Sequence, residues 1–168
     1  SVPARRSSVL YERAALSLTK LTPHQEDALE ECRAADRSFH EQIHIKAPAG
    51  AGKTFVALYI ILEALSQGAA HVLFVARNES LCLFMAKWIA ERHDNDLERE
   101  GALSAINLLF EPFESGPRAV WHDIETGRLA TGTATSPPAT HDLVCVDEAH
   151  HIYRDVKLRK AVEDRVGG

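Results

Sequence analysis

The chain is poor in cysteine, in long apolar runs and in basic excess, and each shortage excludes something. Its three cysteines, Cys32, Cys82 and Cys145, are odd in number, widely spaced and set in apolar runs. That pattern excludes a disulfide scaffold and reads as reduced thiols of an intracellular protein. No apolar run approaches the ~18 residues that a membrane helix needs. The longest, Phe55 to Leu62, stops at Glu63, so no membrane is expected as a partner. Arg5 and Arg6 stand among serines where a secretory leader carries its apolar segment. Basic residues number 19 against 24 acidic ones, a net charge of −5. Overall charge therefore supplies no argument for nucleic-acid binding, although a local basic groove is compatible with it. The only methionine is Met85, which reads as a segment processed or excerpted from a longer protein.

What is present fits one globular unit of ordinary composition, 168 residues with 45% hydrophobic and 26% charged. Residues 1–20 carry Arg5, Arg6 and Arg13 around Leu10, Ala14, Ala15 and Leu18, and read as a short helix or an N-terminal arm. Thr22-Pro23 starts a helix to about Ala35, with Thr22 as N-cap and Pro23 at the first helical position. Glu41 to Lys46 alternates as a strand. Lys53 to Gln67 is a helix apolar nearly all round, closed by Gly68. His71 to Ala76 is a continuous apolar run of the kind found inside parallel sheets. From Ser80 to His93, Leu81, Phe84, Met85, Trp88 and Ile89 recur with helical spacing.

Residues 94–101 read as a solvated, charged connection, and Ile106 to Phe110 as a third strand. A hairpin is expected over 117–130 around Glu125-Thr126-Gly127-Arg128, then a Thr/Ala/Pro loop from Thr131 to His141. Leu143 to Val146 is a buried strand. Val156 to Arg165 is a short polar helix after a possible Asp155 cap. Strand and helix alternate, so the fold class is α/β with a parallel sheet flanked by helices.

Two segments carry chemistry. Ala47-Pro48-Ala49-Gly50-Ala51-Gly52-Lys53-Thr54 lies between a strand and a helix, the context of a phosphate-binding loop. Its glycines let backbone N–H groups turn toward phosphate oxygens, and the helix N-terminus adds partial positive charge. Lys53 suits the β- and γ-phosphates of ATP and the Thr54 hydroxyl suits Mg²⁺. Ala47 stands where the common pattern has Gly. The second segment, Asp142 to His150, runs four apolar residues into the carboxylates of Asp147 and Glu148. At the end of such a strand Asp147 suits Mg²⁺, and Glu148 suits the water that attacks the γ-phosphate.

These residues carry a family resemblance. APAGAGKT and VCVDEAH resemble motifs I and II of the helicase-like P-loop ATPases. LTPHQEDAL is similar to their upstream Q motif and VLFVARNESLCLFMAKWI to motif Ia. The Pro-Ala-Gly-Ala-Gly-Lys-Thr wording looks more like superfamily 1, while the DEAH letters lean toward superfamily 2. The resemblance spans roughly residues 21–152 and implies a RecA-like P-loop domain over 21–168.

It also implies that Gln25 reads the adenine edge, though Thr22-x-x-Gln25 is itself a helix capping box and needs no nucleotide. Arg77, Asn78 and Ser80 fall in the loop that touches single-stranded DNA or RNA in relatives, against the plain alternative of a solvated strand–helix loop. His150 and His151 either couple the nucleotide site to a partner surface or are two ordinary surface histidines. In the resembling ATPases a further strand, a sensing motif and a second lobe with arginine fingers follow motif II. The domain is therefore expected to be incomplete at its C-terminus, with the remainder of the parent chain as a partner. Arg154, Arg159 and Arg165 follow motif II too closely to replace an opposed-lobe finger. The excerpt alone is expected to be a weak ATPase whose strands at 41–46 and 143–146 flank a gap, exposing Ile43, Ile45, Val144 and Val146, or else pair directly.

Two motifs are rejected. His40-Glu-Gln-Ile-His44 has the letters of a zinc protease, but on a strand four steps separate the histidines by ~13 Å. Asn78-Glu79-Ser80 is a glycosylation sequon by letters only. The resemblance thus implies ATP binding and hydrolysis coupled to nucleic acid. A signalling or switch NTPase, mildly favoured by the acidic balance, and a non-catalytic ATP-binding module stand as alternatives.

Overall fold

The computed structural model describes residues 23, 26–27, 53–147 and 156–164. Pro23, Glu26 and Asp27 are helical and exposed, in keeping with a helix opening at Thr22-Pro23. The expected strand at 41–46, with Ile43 and Ile45, lies outside the described residues.

Among residues 53–147 and 156–164, four α-helices and five strands follow in chain order: α1 (Lys53–Ser66), β1 (Val72–Val75), α2 (Glu79–Glu91), α3 (Asp96–Ser104), β2 (Ile106–Leu109), β3 (Arg118–His122), β4 (Leu129–Thr133), β5 (Leu143–Val146) and α4 (Val156–Glu163), with one 3-10 turn at Phe113–Ser115. The strands form one sheet in the order β4-β3-β2-β1-β5. β1 pairs in parallel with β2 on one side and with β5 on the other. The hairpin of β3 and β4 adds to β2 antiparallel, so the sheet is mixed where a parallel one was expected.

The interior position of β1, paired on both edges, explains the continuous apolar run. Val72, Leu73, Phe74 and Val75 are all fully buried, because helices cover both faces of the sheet. Val72, Phe74 and Ala76 face one way with Ile106, Leu108 and Phe110, beneath Leu58, Ile61, Met85, Trp88 and Ile89 of α1 and α2. Leu73, Val75 and Leu109 face the other way, with Val162 of α4 and the half-buried Phe113, Val144 and Val146. Val144 and Val146 are thus packed rather than laid bare beside a gap. Among the described residues β1 is the strand that pairs with β5.

The helices begin and end for local reasons. α1 closes at Gly68, whose φ of +89° turns the chain so that Ala69 N donates to Ala64 O. α2 is capped by Asn78, whose side chain accepts from Leu81 N. It buries Cys82, Met85, Ala86, Trp88, Ile89 and Ala90, a wider face than the expected stripe.

Residues 94–101, expected as a solvated connection, instead supply most of α3. Asn95 caps it by accepting from Glu98 N, and Asp96 and Glu98 complement the dipole of its first turn. Gly101 lies inside this helix instead of ending the segment. The helix was hidden because it buries just Ala102 and Leu103, too few for a readable period.

The hairpin falls where it was expected, with strands shifted outward. Thr131 to Thr133, expected in the following loop, complete β4. The connection is fixed by Asp123, whose carboxylate accepts from Glu125 N and Thr126 N, and by Gly127 at φ +66°. Among the described residues no helix is long and apolar enough to cross a membrane.

Candidate functional site

In open α/β sheets, ligands sit beyond the carboxyl ends of the parallel strands. Here that edge carries three short segments. Arg77 and Asn78 leave β1 and lead into the first turn of α2, which holds Ser80; Glu111 and Pro112 leave β2, and Asp147 leaves β5. The parallel register aligns them, since Val75 pairs with Leu109 and with Val146. Asp147 N then donates to Val75 O at 2.8 Å, which sets the half-buried aspartate beside the start of the β1 loop.

The helices place the first turn of α1 at this same edge. Phe55 meets Phe84 edge-on, with ring centroids 6.4 Å apart. One turn along, Tyr59 meets Trp88 at 5.2 Å. Contacts that advance four residues on both helices mean that α1 and α2 run parallel. Since α2 starts directly off the carboxyl end of β1, α1 starts there too. Lys53 and Thr54, its first two residues, therefore begin a helix at the edge that holds Asp147.

The other residues expected at the site divide clearly. Arg77, Asn78 and Ser80 are described and exposed. Asn78 is occupied structurally as the cap of α2, an outcome that residue type alone foreshadows. Its neighbour Glu79 accepts from the Thr131 hydroxyl at 3.0 Å, tying the loop to β4. Gln25, Ala47, Pro48, Ala49, Gly50, Ala51, Gly52, Glu148, His150 and His151 lie outside the described residues, as do His40 and His44. Among the described residues no group of three or more His, Cys, Asp or Glu side chains is placed to hold a metal ion.

Three roles were missed from the sequence. Asp142 opens the second chemical segment by its letters, yet it sits at the opposite end of β5. There its carboxylate accepts from Ala70 N at 2.9 Å and His71 N at 3.0 Å, fastening the starts of β1 and β5 together. Glu111 shares the ligand edge with Arg77; its place directly after a strand was the available signal. Cys82 lies in the first turn of α2, behind that edge. Burial pushes its thiol up from 9.0 to about 12; an N–H from Ala76 opposes the shift, and the charges of Asp147 and Glu79 add to it.

A family model described as "Type III restriction enzyme, res subunit" matches residues 18–165. No curated protein and no solved structure matches the chain. The match covers most of the chain, including the α1 start, the β1 loop and the β5 end. The chain belongs to this family, and is a helicase-related P-loop ATPase domain of the superfamily 1 and 2 type with a RecA-like α/β fold.

Proposed function

We propose that this domain binds Mg-ATP at the carboxyl edge of β1 and β5 and, within the intact protein, hydrolyses it to drive movement on or remodelling of nucleic acid. The observation that carries this reading is the convergence of the α1 start, the β1 loop and Asp147 on one sheet edge. The loop Ala47 to Gly52 would cradle the phosphates with the backbone N–H groups of its residues other than Pro48, and Lys53 would set its charge against the β- and γ-phosphates. Thr54 and Asp147 would hold Mg²⁺, Asp147 through the ion's water shell, since Mg²⁺ dehydrates reluctantly. Mg²⁺ would supply neutralisation of the charge that builds on the phosphate oxygens. Glu148 would orient and deprotonate the attacking water, and Gln25 would read the adenine edge. Arg77 and Ser80 would touch the backbone of a single strand.

Calorimetric titration of Mg-ATP tests the nucleotide site. Lys53→Ala removes the charge facing the phosphates, so affinity should fall tenfold or more, about 1.4 kcal/mol. Equal affinity in variant and wild type sinks the phosphate-loop assignment. Glu148→Gln keeps the shape of the side chain but not its basicity. In the intact protein, binding should persist while hydrolysis falls steeply. Unchanged turnover moves the catalytic base elsewhere.

A further inference from the structure

The carboxyl ends of β1 and β2 stay joined beyond their last ladder positions. Ala76 N donates to Leu109 O at 3.0 Å, and Glu111 N donates to Arg77 O at 3.2 Å. These bonds hold Arg77 and Glu111 as neighbours on the ledge where Asp147 emerges. Their side chains approach each other there, Arg77 Nε to Glu111 Oε1 at 3.9 Å, with 55% and 58% of their surfaces exposed. Arg77 is the single cation of the loop from 77 to 80, whose other members are Asn78, Glu79 and Ser80. Asn78 is committed to capping α2 and Glu79 to Thr131. The charge attraction this segment exerts on a phosphate backbone therefore rests on Arg77, and Glu111 stands against it.

A carboxylate and a phosphate make the same demand of a guanidinium, oxygen acceptors aligned with its N–H donors. The contact with Glu111 is long, reaches a single nitrogen and lies in water. Pairs of this kind are weak and screened by salt, so a phosphate can replace the carboxylate without uncovering buried surface.

We propose that Glu111 is a resident competitor for phosphate at Arg77 and thereby sets the affinity of this edge for single-stranded nucleic acid. The inference rests on reading the β1 loop as a strand contact. Glu111 acts through Arg77, so its effect disappears when Arg77 loses its charge. It also flattens the salt dependence of binding, because a guanidinium already partly neutralised displaces fewer counterions when it meets a phosphate.

The test is anisotropy titration of a labelled thymidine oligonucleotide with the intact protein across a salt series. Wild type, Glu111→Gln, Arg77→Gln and the double variant are compared. Glu111→Gln should tighten binding about threefold at low salt and steepen the salt slope by up to ~0.7, the share of one phosphate contact on a single strand. Arg77→Gln should weaken binding, and adding Glu111→Gln to it should change nothing. Equal tightening in both backgrounds means that Glu111 is merely bulk negative charge, and overturns the proposal. Weakening by Arg77→Gln with no effect of Glu111→Gln overturns it as well, while leaving the loop as a strand contact. If neither wild type nor Glu111→Gln binds the oligonucleotide, both readings fall together.

Discussion

The thiol of Cys82 is fully buried in the first turn of α2, with the Ala76 N–H beside it and the carboxylates of Asp147 and Glu79 within electrostatic reach. With its pKa pushed up to about 12, it stays protonated and unreactive at neutral pH. The sign of the pH effect follows. Between 9.0 and about 12 the unfolded chain loses the Cys82 proton and the folded chain keeps it. The folded state then holds more protons, so stability is fully present below pH 9 and falls as pH rises through that window. Urea unfolding at pH 8 and pH 10.5 should show a larger loss for wild type than for Cys82→Ala. Parallel losses would mean that other groups carry the alkaline dependence. Asn78 gives a second prediction at this scale. Its side-chain oxygen accepts from Leu81 N, so Asn78→Ala should cost about 1 kcal/mol in urea unfolding. Oligonucleotide affinity should stay near wild type; a selective loss of affinity at unchanged stability would return Asn78 to the binding loop.

Elements differ in how plainly the sequence announces them, and the difference follows burial. β1 and α2 were legible because both sit in the core. A four-residue apolar run and a stripe from Leu81 to Ile89 have no other place to go. α3 was not legible, since its stability comes from the Asn95 cap and its first-turn acids, with Leu97 left 84% exposed. The helix that starts at Lys53 and the carboxylate directly after β5 were legible too. The meeting of Arg77 with Glu111 was not, because it depends on which strands become neighbours. The hairpin was legible from its turn residues, but its packing was not. Trp121 lies across Gly132, where a Cβ would come within 2.8 Å of ring atom Cη2 and 3.3 Å of Cζ3. Gly132→Val should therefore displace the ring, shift its fluorescence and destabilise the protein by ~1–3 kcal/mol. In a Trp121→Ala background the same substitution should cost clearly less. An equal cost in both backgrounds would place the strain in the β4 backbone instead.

At the scale of the whole molecule, the sheet is a partition with two unequal sides. α1, α2 and α3 cover one face with a large core. On the other face, among the described residues, Val162 of α4 closes over Leu73, Val75 and Leu109. Among the side chains of α4 whose burial is described, Val156, Lys157, Arg159 and Lys160 are exposed and Val162 is fully buried. The helix begins nine residues after Asp147. Val162 shares its cluster with Val144 and Val146 of β5, the strand that ends beside Asp147, which links core packing to the site's geometry. Val162→Asp puts a carboxylate against the apolar face of β1 and β2, where it is neither solvated nor paired. Such a charge should destabilise the protein by about 3 kcal/mol or more. Urea unfolding should show a lower midpoint, and a dye that binds exposed apolar surface should gain fluorescence as α4 lifts away. Val156→Asp, on the same helix but 78% exposed, is the control and should behave as wild type. Because Val162 packs in the cluster that holds Val146, the neighbour of Asp147, Mg-ATP affinity should weaken in Val162→Asp at temperatures where the sheet remains folded. If Val162→Asp and Val156→Asp unfold alike, α4 does not secure the second face, and the link from that face to Asp147 is lost with it.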